Sequence, residues 1–152
     1  MIHIENAKHF DQIFDAKKPT KPIFAYFKAE WSNPCQRISP KIAEFAEKYA
    51  RYFQFLEIDV DQNEGITERF DVYCTPTFLL LQNGRVIKTL TGTNQEEIEK
   101  MLDIAKLQSK ILKPIVSQYV SDRNSFVFDR NRLISMISFG SRKDYKVSRS
   151  PM

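Results

Sequence analysis

The segment Ala29-Glu30-Trp31-Ser32-Asn33-Pro34-Cys35 joins an apolar run to a helix-forming sequence, and the rest of the chain is best understood from this junction. The segment before it, Ile23–Phe27, is an almost continuous apolar run, as expected of a strand that is covered on both faces. After it, apolar residues recur at helical spacing: Ile38, Ile42, Phe45, Ala46 and Tyr49. A central strand, a turn and a helix over about residues 33–50 are therefore predicted, with an interruption at Pro40.

The remaining sequence alternates strand and helix patterns, which predicts an α/β fold. Asn6 is predicted to cap the first helix, and Asn83-Gly84 is typical of a hairpin turn because both residues tolerate positive φ. The predicted elements are an edge strand (2–5), a helix to about residue 15, a turn (19–22), a second central strand (52–60), a short helix (65–71), two hairpin strands (77–82 and 86–91) and a helix from 94 to about 111.

Four ordered motifs over about residues 1–108 resemble the thioredoxin family. The pattern from Trp31 to Cys35 is similar to the family signature Trp-Cys-Gly-Pro-Cys, and residues 55–61 resemble its central strand. Residues 72–78 resemble the loop that carries the family's cis-proline, in a form most similar to animal cytosolic thioredoxins, and residues 90–92 resemble its glycine loop. The resemblance implies a thioredoxin fold, with a central mixed β-sheet flanked by helices.

The resemblance also places Ser32 where the family has its attacking cysteine and Cys35 where it has the resolving one. Thiol–disulfide exchange proceeds by attack of a thiolate. A cysteine thiol, with a reference pKa of about 8.5, can be tuned to a thiolate near neutral pH. A serine hydroxyl is a far weaker acid and forms no disulfide. We therefore expect an altered or absent dithiol activity.

Two further positions differ from the family pattern. The family's buried carboxylate, which assists the resolving thiol, corresponds to Tyr26, and the lysine that pairs with it corresponds to Glu57. Tyrosine, with a reference pKa near 10, is a poor base at neutral pH. Glu57 is a candidate for a displaced carboxylate. The proton-handling positions are thus predicted to have changed together with the nucleophile.

The client-binding features of the family are retained. The resemblance implies that Trp31 provides a flat apolar platform, that Pro34 sets the start of the helix, and that Thr75 before a cis Pro76 pairs with an extended peptide. Gly92 would let that peptide approach closely. Client proteins or peptides are the expected partners, and neither a cofactor nor a metal is expected.

Each of these residues also has a structural alternative. Ser32 is predicted to be a helix N-cap, Cys35 is either a buried small hydrophobe or a lone reactive thiol, and Trp31 is either platform or packing aromatic. Cys74 is either an unreactive surface cysteine or a regulatory thiol that is glutathionylated or links a homodimer. A disulfide between Cys35 and Cys74 is not expected, because bridging needs Cα atoms within about 7 Å.

Charge divides the 152 residues into two parts. Residues 1–110 carry a net charge of −1 and form the predicted thioredoxin-like domain, whereas residues 111–152 carry +5 and are predicted to be a basic, partly disordered extension. The scattered basic residues do not favour nucleic-acid binding. No apolar run is long enough to span a membrane, so no membrane partner is expected. The N-terminus lacks a leader pattern, and a cytoplasmic location is predicted, with the nucleus as an alternative.

Three functions remain open. The first is a thioredoxin-like client-binding protein of redox homeostasis that has lost disulfide reductase activity. The second is a monothiol redox enzyme, a disulfide oxidoreductase or deglutathionylating protein, that uses Cys35 or Cys74. The third is an interaction protein driven by residues 112–152, with the preceding domain as a scaffold.

Overall fold

The structure is a computed structural model that describes residues 1–14 and 21–120, with side chains described as far as Ile111. Within these ranges the elements are β1 (Ile2–His3), α1 (Ala7–Phe14), β2 (Ile23–Lys28), α2 (Asn33–Lys48), β3 (Gln54–Asp59), α3 (Glu64–Arg69), β4 (Thr77–Gln82), β5 (Arg85–Thr91) and α4 (Gln95–Val120). The predicted turn at 19–22 lies partly outside the described residues, and the predicted disorder after residue 120 lies wholly outside them.

The five strands form one mixed sheet in the order β1-β3-β2-β4-β5. Strand β3 pairs in parallel with both β1 and β2, whereas β4 pairs antiparallel with β2 and β5. Strand β2 therefore lies at the centre, as its apolar sequence predicted, and β1 lies at an edge. The predicted α/β architecture, a central mixed sheet flanked by helices, is confirmed.

Alternation along β2 divides the core into two layers, because successive side chains point to opposite faces. Phe24 and Tyr26 face the layer formed with α2 and α4, whereas Ile23, Ala25 and Phe27 face the opposite layer. The Tyr26 side chain thus points toward the helix that begins at the Trp31 motif. This orientation brings it into the candidate site.

Two local predictions are confirmed by hydrogen bonds and dihedral angles. The backbone N–H of His9 donates to Asn6 Oδ1 at 2.9 Å, which caps α1. Asn83 and Gly84 have φ values of 51° and 74°, so the hairpin turn uses the left-handed conformations that these residues tolerate. Within the described ranges, none of the helices combines the length and apolar character needed to cross a bilayer.

Two helix predictions need correction. Helix α2 runs as one segment through Pro40. Pro40 and Gln36, whose carbonyl loses its helical partner, are both exposed residues. Helix α4 continues past its predicted end near Ile111, includes Pro114 and is described as far as Val120. A helix that is already long loses one hydrogen bond at a proline without having to nucleate again. The predicted domain division after residue 110 falls inside α4 and stays a prediction.

Candidate functional site

Ser32 is the N-cap of α2. Its side-chain Oγ accepts a hydrogen bond from the backbone N–H of Cys35 at 3.5 Å, and its own N–H donates to the carbonyl of Ala29 at 3.2 Å. Pro34 occupies the first turn, where a missing N–H costs nothing. Only 4% of Ser32 is exposed. The predicted capping role of this hydroxyl is confirmed.

Cys35 lies below this cap and is 1% exposed. Two hydroxyl groups converge on its backbone carbonyl: Ser39 Oγ donates to it at 2.8 Å and the Tyr26 phenol donates to it at 3.2 Å. The two hydroxyl oxygens are themselves 2.9 Å apart, so one of the two O–H groups shares its proton between the carbonyl and the other hydroxyl. Tyr26 and Ser39 thereby tie the first turns of α2 to the central strand.

The Tyr26 ring is fully buried and stacks on Phe78 of the neighbouring strand, with ring centroids 5.1 Å apart. Burial is the main reason that the pKa of its phenol is raised far above the ordinary tyrosine value, and the hydrogen bond with Ser39 opposes this shift. A phenol with a raised pKa stays protonated at neutral pH. Tyr26 is therefore a hydrogen-bond donor here and not a base.

Glu57 is in register with Tyr26 on the adjacent strand β3. Its carboxylate Oε1 lies 2.9 Å from Lys28 Nζ and 3.4 Å from His3 Nδ1. The Glu57 and Lys28 side chains are each about one-fifth exposed, at 17% and 21%. The carboxylate that the sequence suggested for proton transfer to Cys35 is thus in contact with the Lys28 ammonium group and the His3 imidazole.

Trp31 is 71% exposed at the start of the motif, which excludes the alternative that it is a core packing residue. Its indole Nε1–H donates to Asp61 Oδ2 at 2.8 Å. The ring is therefore held at one edge while most of its surface remains available. An exposed, orientated aromatic ring of this kind is suited to contact with another protein.

The loop before β4 lies beside the end of β5. The Thr75–Pro76 peptide bond is cis, as the resemblance implied. The Gly92 N–H donates to the carbonyl of Pro76 at 3.0 Å, and Gly92 has a φ of 91°. A Cβ added at Gly92 would meet no described atom within 4 Å, so this glycine faces open space. Thr75 is half-buried and Pro76 is buried.

Cys74 is an exposed free thiol on the same loop, and Cys35 is a buried free thiol. The Cys74 sulfur lies 3.8 Å from Thr77 Oγ1, which itself donates to the Cys74 carbonyl at 2.7 Å. The preceding residue, Tyr73, is 88% exposed. The loop therefore presents a thiol and an aromatic side chain together at the surface.

Comparison with known protein families shows to which family the chain belongs. The thioredoxin family model, described as "Thioredoxin", matches residues 1–104. The chain belongs to the thioredoxin family. The family assignment covers the sheet, the Trp31 motif and the first turns of α4, and it ends before the carboxyl half of that helix.

Curated relatives and solved structures agree with this assignment. Thioredoxin H4-1 of Oryza sativa subsp. japonica is 40% identical over 98 residues, which cover 64% of this chain and 74% of the rice protein. Monothiol glutaredoxin-4 of Saccharomyces cerevisiae is 30% identical over 105 residues, covering 68% of this chain but only 43% of the yeast protein. The X-ray structure of Fasciola hepatica thioredoxin superimposes with a TM-score of 0.63 at 26% identity, covering 68% of this chain and 97% of that one.

Several partners in this thioredoxin-family site were not predicted from the sequence. Ser39 follows Cys35 by one helical turn, and this i,i+4 spacing was the available signal for their contact. Asp61 was noted only as part of a strand motif, and nothing in the sequence paired it with Trp31. Lys28 and His3 become partners of Glu57 through strand pairing alone.

Proposed function

We propose that this thioredoxin-family redox protein binds client proteins through the surface around Trp31 and Pro76 and lacks dithiol disulfide reductase activity. The observation that carries the proposal is the capping hydroxyl of Ser32, since its oxygen occupies the position that the resemblance assigns to the attacking sulfur. A serine oxygen at this position can cap the helix but cannot form a mixed disulfide.

The burial of Cys35 supports the same conclusion. Its thiol belongs to a residue with 1% exposure beneath the cap, so a disulfide in a folded client has no direct access to it. The nearby Tyr26 phenol donates its hydrogen bond to the Cys35 carbonyl and stays protonated at neutral pH. The proposed site therefore has neither an accessible attacking thiol nor a base of the usual type beside the buried one.

The client-binding part of the proposal rests on the surface groups. Trp31 and Tyr73 expose large aromatic faces, and Gly92 leaves open space next to the Pro76 loop. Aromatic anchors in a surface with open backbone space are typical of peptide recognition. An extended client segment would lie along this surface and pair with the backbone of Thr75.

The test combines an activity assay with a binding assay. Wild type is expected to give no reduction of insulin above background when coupled to NADPH and a thioredoxin reductase. It is expected to bind carboxymethylated insulin B chain, which has no disulfide. Trp31→Ala should weaken this binding about tenfold or more, whereas Val86→Ala, which alters an exposed apolar residue on β5, should leave it unchanged.

Two results would contradict the proposal in different ways. Insulin turnover by wild type at the rate of an ordinary dithiol thioredoxin would contradict the proposed loss of reductase activity. Equal binding of the peptide by wild type and Trp31→Ala would contradict the assignment of the client-binding surface to Trp31. Because Trp31 is mostly exposed, its truncation is not expected to unfold the protein, and circular dichroism provides that control.

The second candidate is a monothiol redox function, and the exposed free thiol of Cys74 favours it. In this reaction the Cys74 thiolate attacks the glutathione sulfur of a protein–glutathione mixed disulfide, and the client leaves as a thiol. A second glutathione thiolate then attacks the same sulfur, which restores Cys74 and forms oxidised glutathione. The similarity to a monothiol glutaredoxin adds support at the level of the family only.

Separate Cys74→Ser and Cys35→Ser variants test this candidate with a glutathionylated model peptide and free glutathione. Loss of turnover in Cys74→Ser alone would establish Cys74 as the monothiol, and loss in Cys35→Ser alone would establish Cys35. Unchanged turnover in both variants would exclude the monothiol function. The same Cys74→Ser variant tests the proposed Cys74-linked homodimer, which would disappear on non-reducing gels.

The cytosol, with the nucleus as the alternative, is the proposed location, because two free thiols suit a reducing compartment. Imaging of a carboxyl-terminal fluorescent fusion distinguishes the two. Accumulation in an oxidising compartment would contradict both.

A further inference from the structure

The carboxyl half of α4 extends beyond the thioredoxin domain. The family match ends at residue 104, whereas α4 continues to Val120. Among the described side chains of α4, which extend to Ile111, the core residues lie before this extension or at its start: Ile98, Met101, Leu102 and Ala105. Residues 104–120 are referred to below as the α4 extension.

The α4 extension exposes large apolar side chains. Leu107 is 56% exposed and Ile111 is 54% exposed. They are four residues apart and therefore lie on one line along the helix. The sequence continues with further apolar residues at helical spacing: Leu112, Ile115, Val116, Tyr119 and Val120. Only Leu107 and Ile111 have described exposures, and the helical spacing of the apolar residues after them predicts that the strip continues along the helix. An exposed apolar strip marks an interaction surface.

A row of lysines runs beside this strip. Lys106 and Lys110 each precede an exposed apolar residue by one position, about 100° around the helix. Lys106 Nζ lies 4.9 Å from the centroid of the Tyr52 ring and Lys110 Nζ lies 5.7 Å from it. Their stems thus extend along an aromatic surface. Residues 104–120 contain three lysines and no Asp or Glu.

The combination restricts the class of partner. Nucleic acid would satisfy the lysines but would leave Leu107 and Ile111 in water. A second copy of the chain would cover the apolar strip, but its own α4 extension contains no acidic residue to pair with these lysines. An anionic lipid surface can bind both groups of residues. The apolar side chains contact the acyl chains, and the lysines are attracted to the negatively charged headgroups. Tyrosine and lysine are also the residue types that lie at the headgroup level.

We propose that the α4 extension binds anionic lipid surfaces as an amphipathic helix lying in the headgroup region. The absence of a membrane-spanning run led us to expect no membrane partner, but a helix that lies on a surface needs no such run. The proposal does not depend on whether the Trp31 motif has redox activity.

Co-sedimentation of the full chain with vesicles tests the proposal. Mixed phosphatidylserine–phosphatidylcholine vesicles should retain the protein, pure phosphatidylcholine vesicles should not, and added salt should weaken retention. Leu107→Ser/Ile111→Ser should weaken binding by about tenfold. Lys106→Gln/Lys110→Gln should weaken it by about fivefold for each lysine.

Matched controls come from the same molecule. Lys100→Gln alters an exposed lysine on α4 before the extension, and Val86→Ser alters an exposed apolar residue on β5. Neither should change vesicle binding. Absence of binding by the full chain, or equal binding to neutral and anionic vesicles, would overturn the proposal. A dimer that dissociates in Leu107→Ser/Ile111→Ser, without vesicle binding, would assign the surface to a second copy instead.

Discussion

The phenolic oxygen of Tyr26 lies 3.2 Å from the carbonyl oxygen of Cys35 and donates a hydrogen bond to it. This contact joins the central strand to the first turn of α2, directly beneath the capping Ser32. Ser39 completes the arrangement by donating to the same carbonyl. A site that would need a proton acceptor for redox turnover instead holds a buried structural donor.

The raised pKa of Tyr26 predicts a specific loss of stability at alkaline pH. The folded-state pKa lies above that of the unfolded chain, near 10. The stabilisation is therefore complete below about pH 10. It falls as the pH rises above that value, because the Tyr26 phenol loses its proton at a lower pH in the unfolded chain than in the folded protein. Tyr26→Phe should remove a slope of about 1.4 kcal/mol per pH unit above pH 10.

Urea unfolding of wild type and Tyr26→Phe at pH 8, 10 and 11 measures this slope. The other tyrosines are common to both proteins and cancel in the difference. Parallel stability curves for the two proteins across this range would mean that Tyr26 ionises normally in the folded state. At pH 8 the variant should lose about 1–3 kcal/mol through the unpaired partners of the missing hydroxyl.

Restoring sulfur at position 32 tests how much of the site remains competent. Ser32→Cys should allow a disulfide with Cys35, but insulin reduction should be slow because no general base assists. The absence of such a base costs about 10²–10⁴-fold in rate. Turnover should therefore be about a hundredth, or less, of that of a dithiol thioredoxin assayed in parallel.

The companion variant Ser32→Cys/Tyr26→Phe should turn over within about twofold of Ser32→Cys, since a protonated phenol accepts no proton. A much slower double variant would show that the phenol takes part in proton transfer. Full activity of Ser32→Cys alone would show that the loss of one sulfur atom is the whole defect.

The capping role of Ser32 predicts that its replacement lowers the free energy of unfolding without changing client binding. Ser32→Ala should lower the free energy of unfolding by about 1 kcal/mol, because the Cys35 N–H loses its side-chain acceptor. Ser32→Asp, which retains a capping oxygen, should lose less. Client binding should be equal in all three proteins, and a large drop in binding by Ser32→Ala would assign Ser32 to the client surface.

Glu57 is predicted to stabilise the sheet edge rather than to move protons. Glu57→Gln leaves Lys28 and His3 without their carboxylate, and a loss of about 1–3 kcal/mol is expected because the Glu57–Lys28 ion pair is largely buried. In the Ser32→Cys background the change should leave the pH profile of insulin reduction unaltered. A shift of that profile would show that the carboxylate acts on the site despite its two partners.

Much of the fold followed from local patterns. The apolar run of β2, the Asn6 cap and the Asn83-Gly84 turn each depend on neighbours within a few residues, so their sequence signals were sufficient. The ends of helices were less predictable. Pro40 and Pro114 lie inside helices because exposure and helix length, rather than residue type, set the effect of a proline.

The candidate site also combines features that the local sequence predicts with contacts that depend on the fold. The side chains present are read directly from the amino-acid sequence: a serine at position 32, a cysteine directly after Pro34, and a tyrosine at position 26. Their contacts depend on the folded arrangement: Tyr26 contacts the Cys35 carbonyl, Trp31 contacts Asp61, and Glu57 contacts Lys28. Strand pairing and helix docking bring these distant residues together, so neither partner's local sequence encodes the contact.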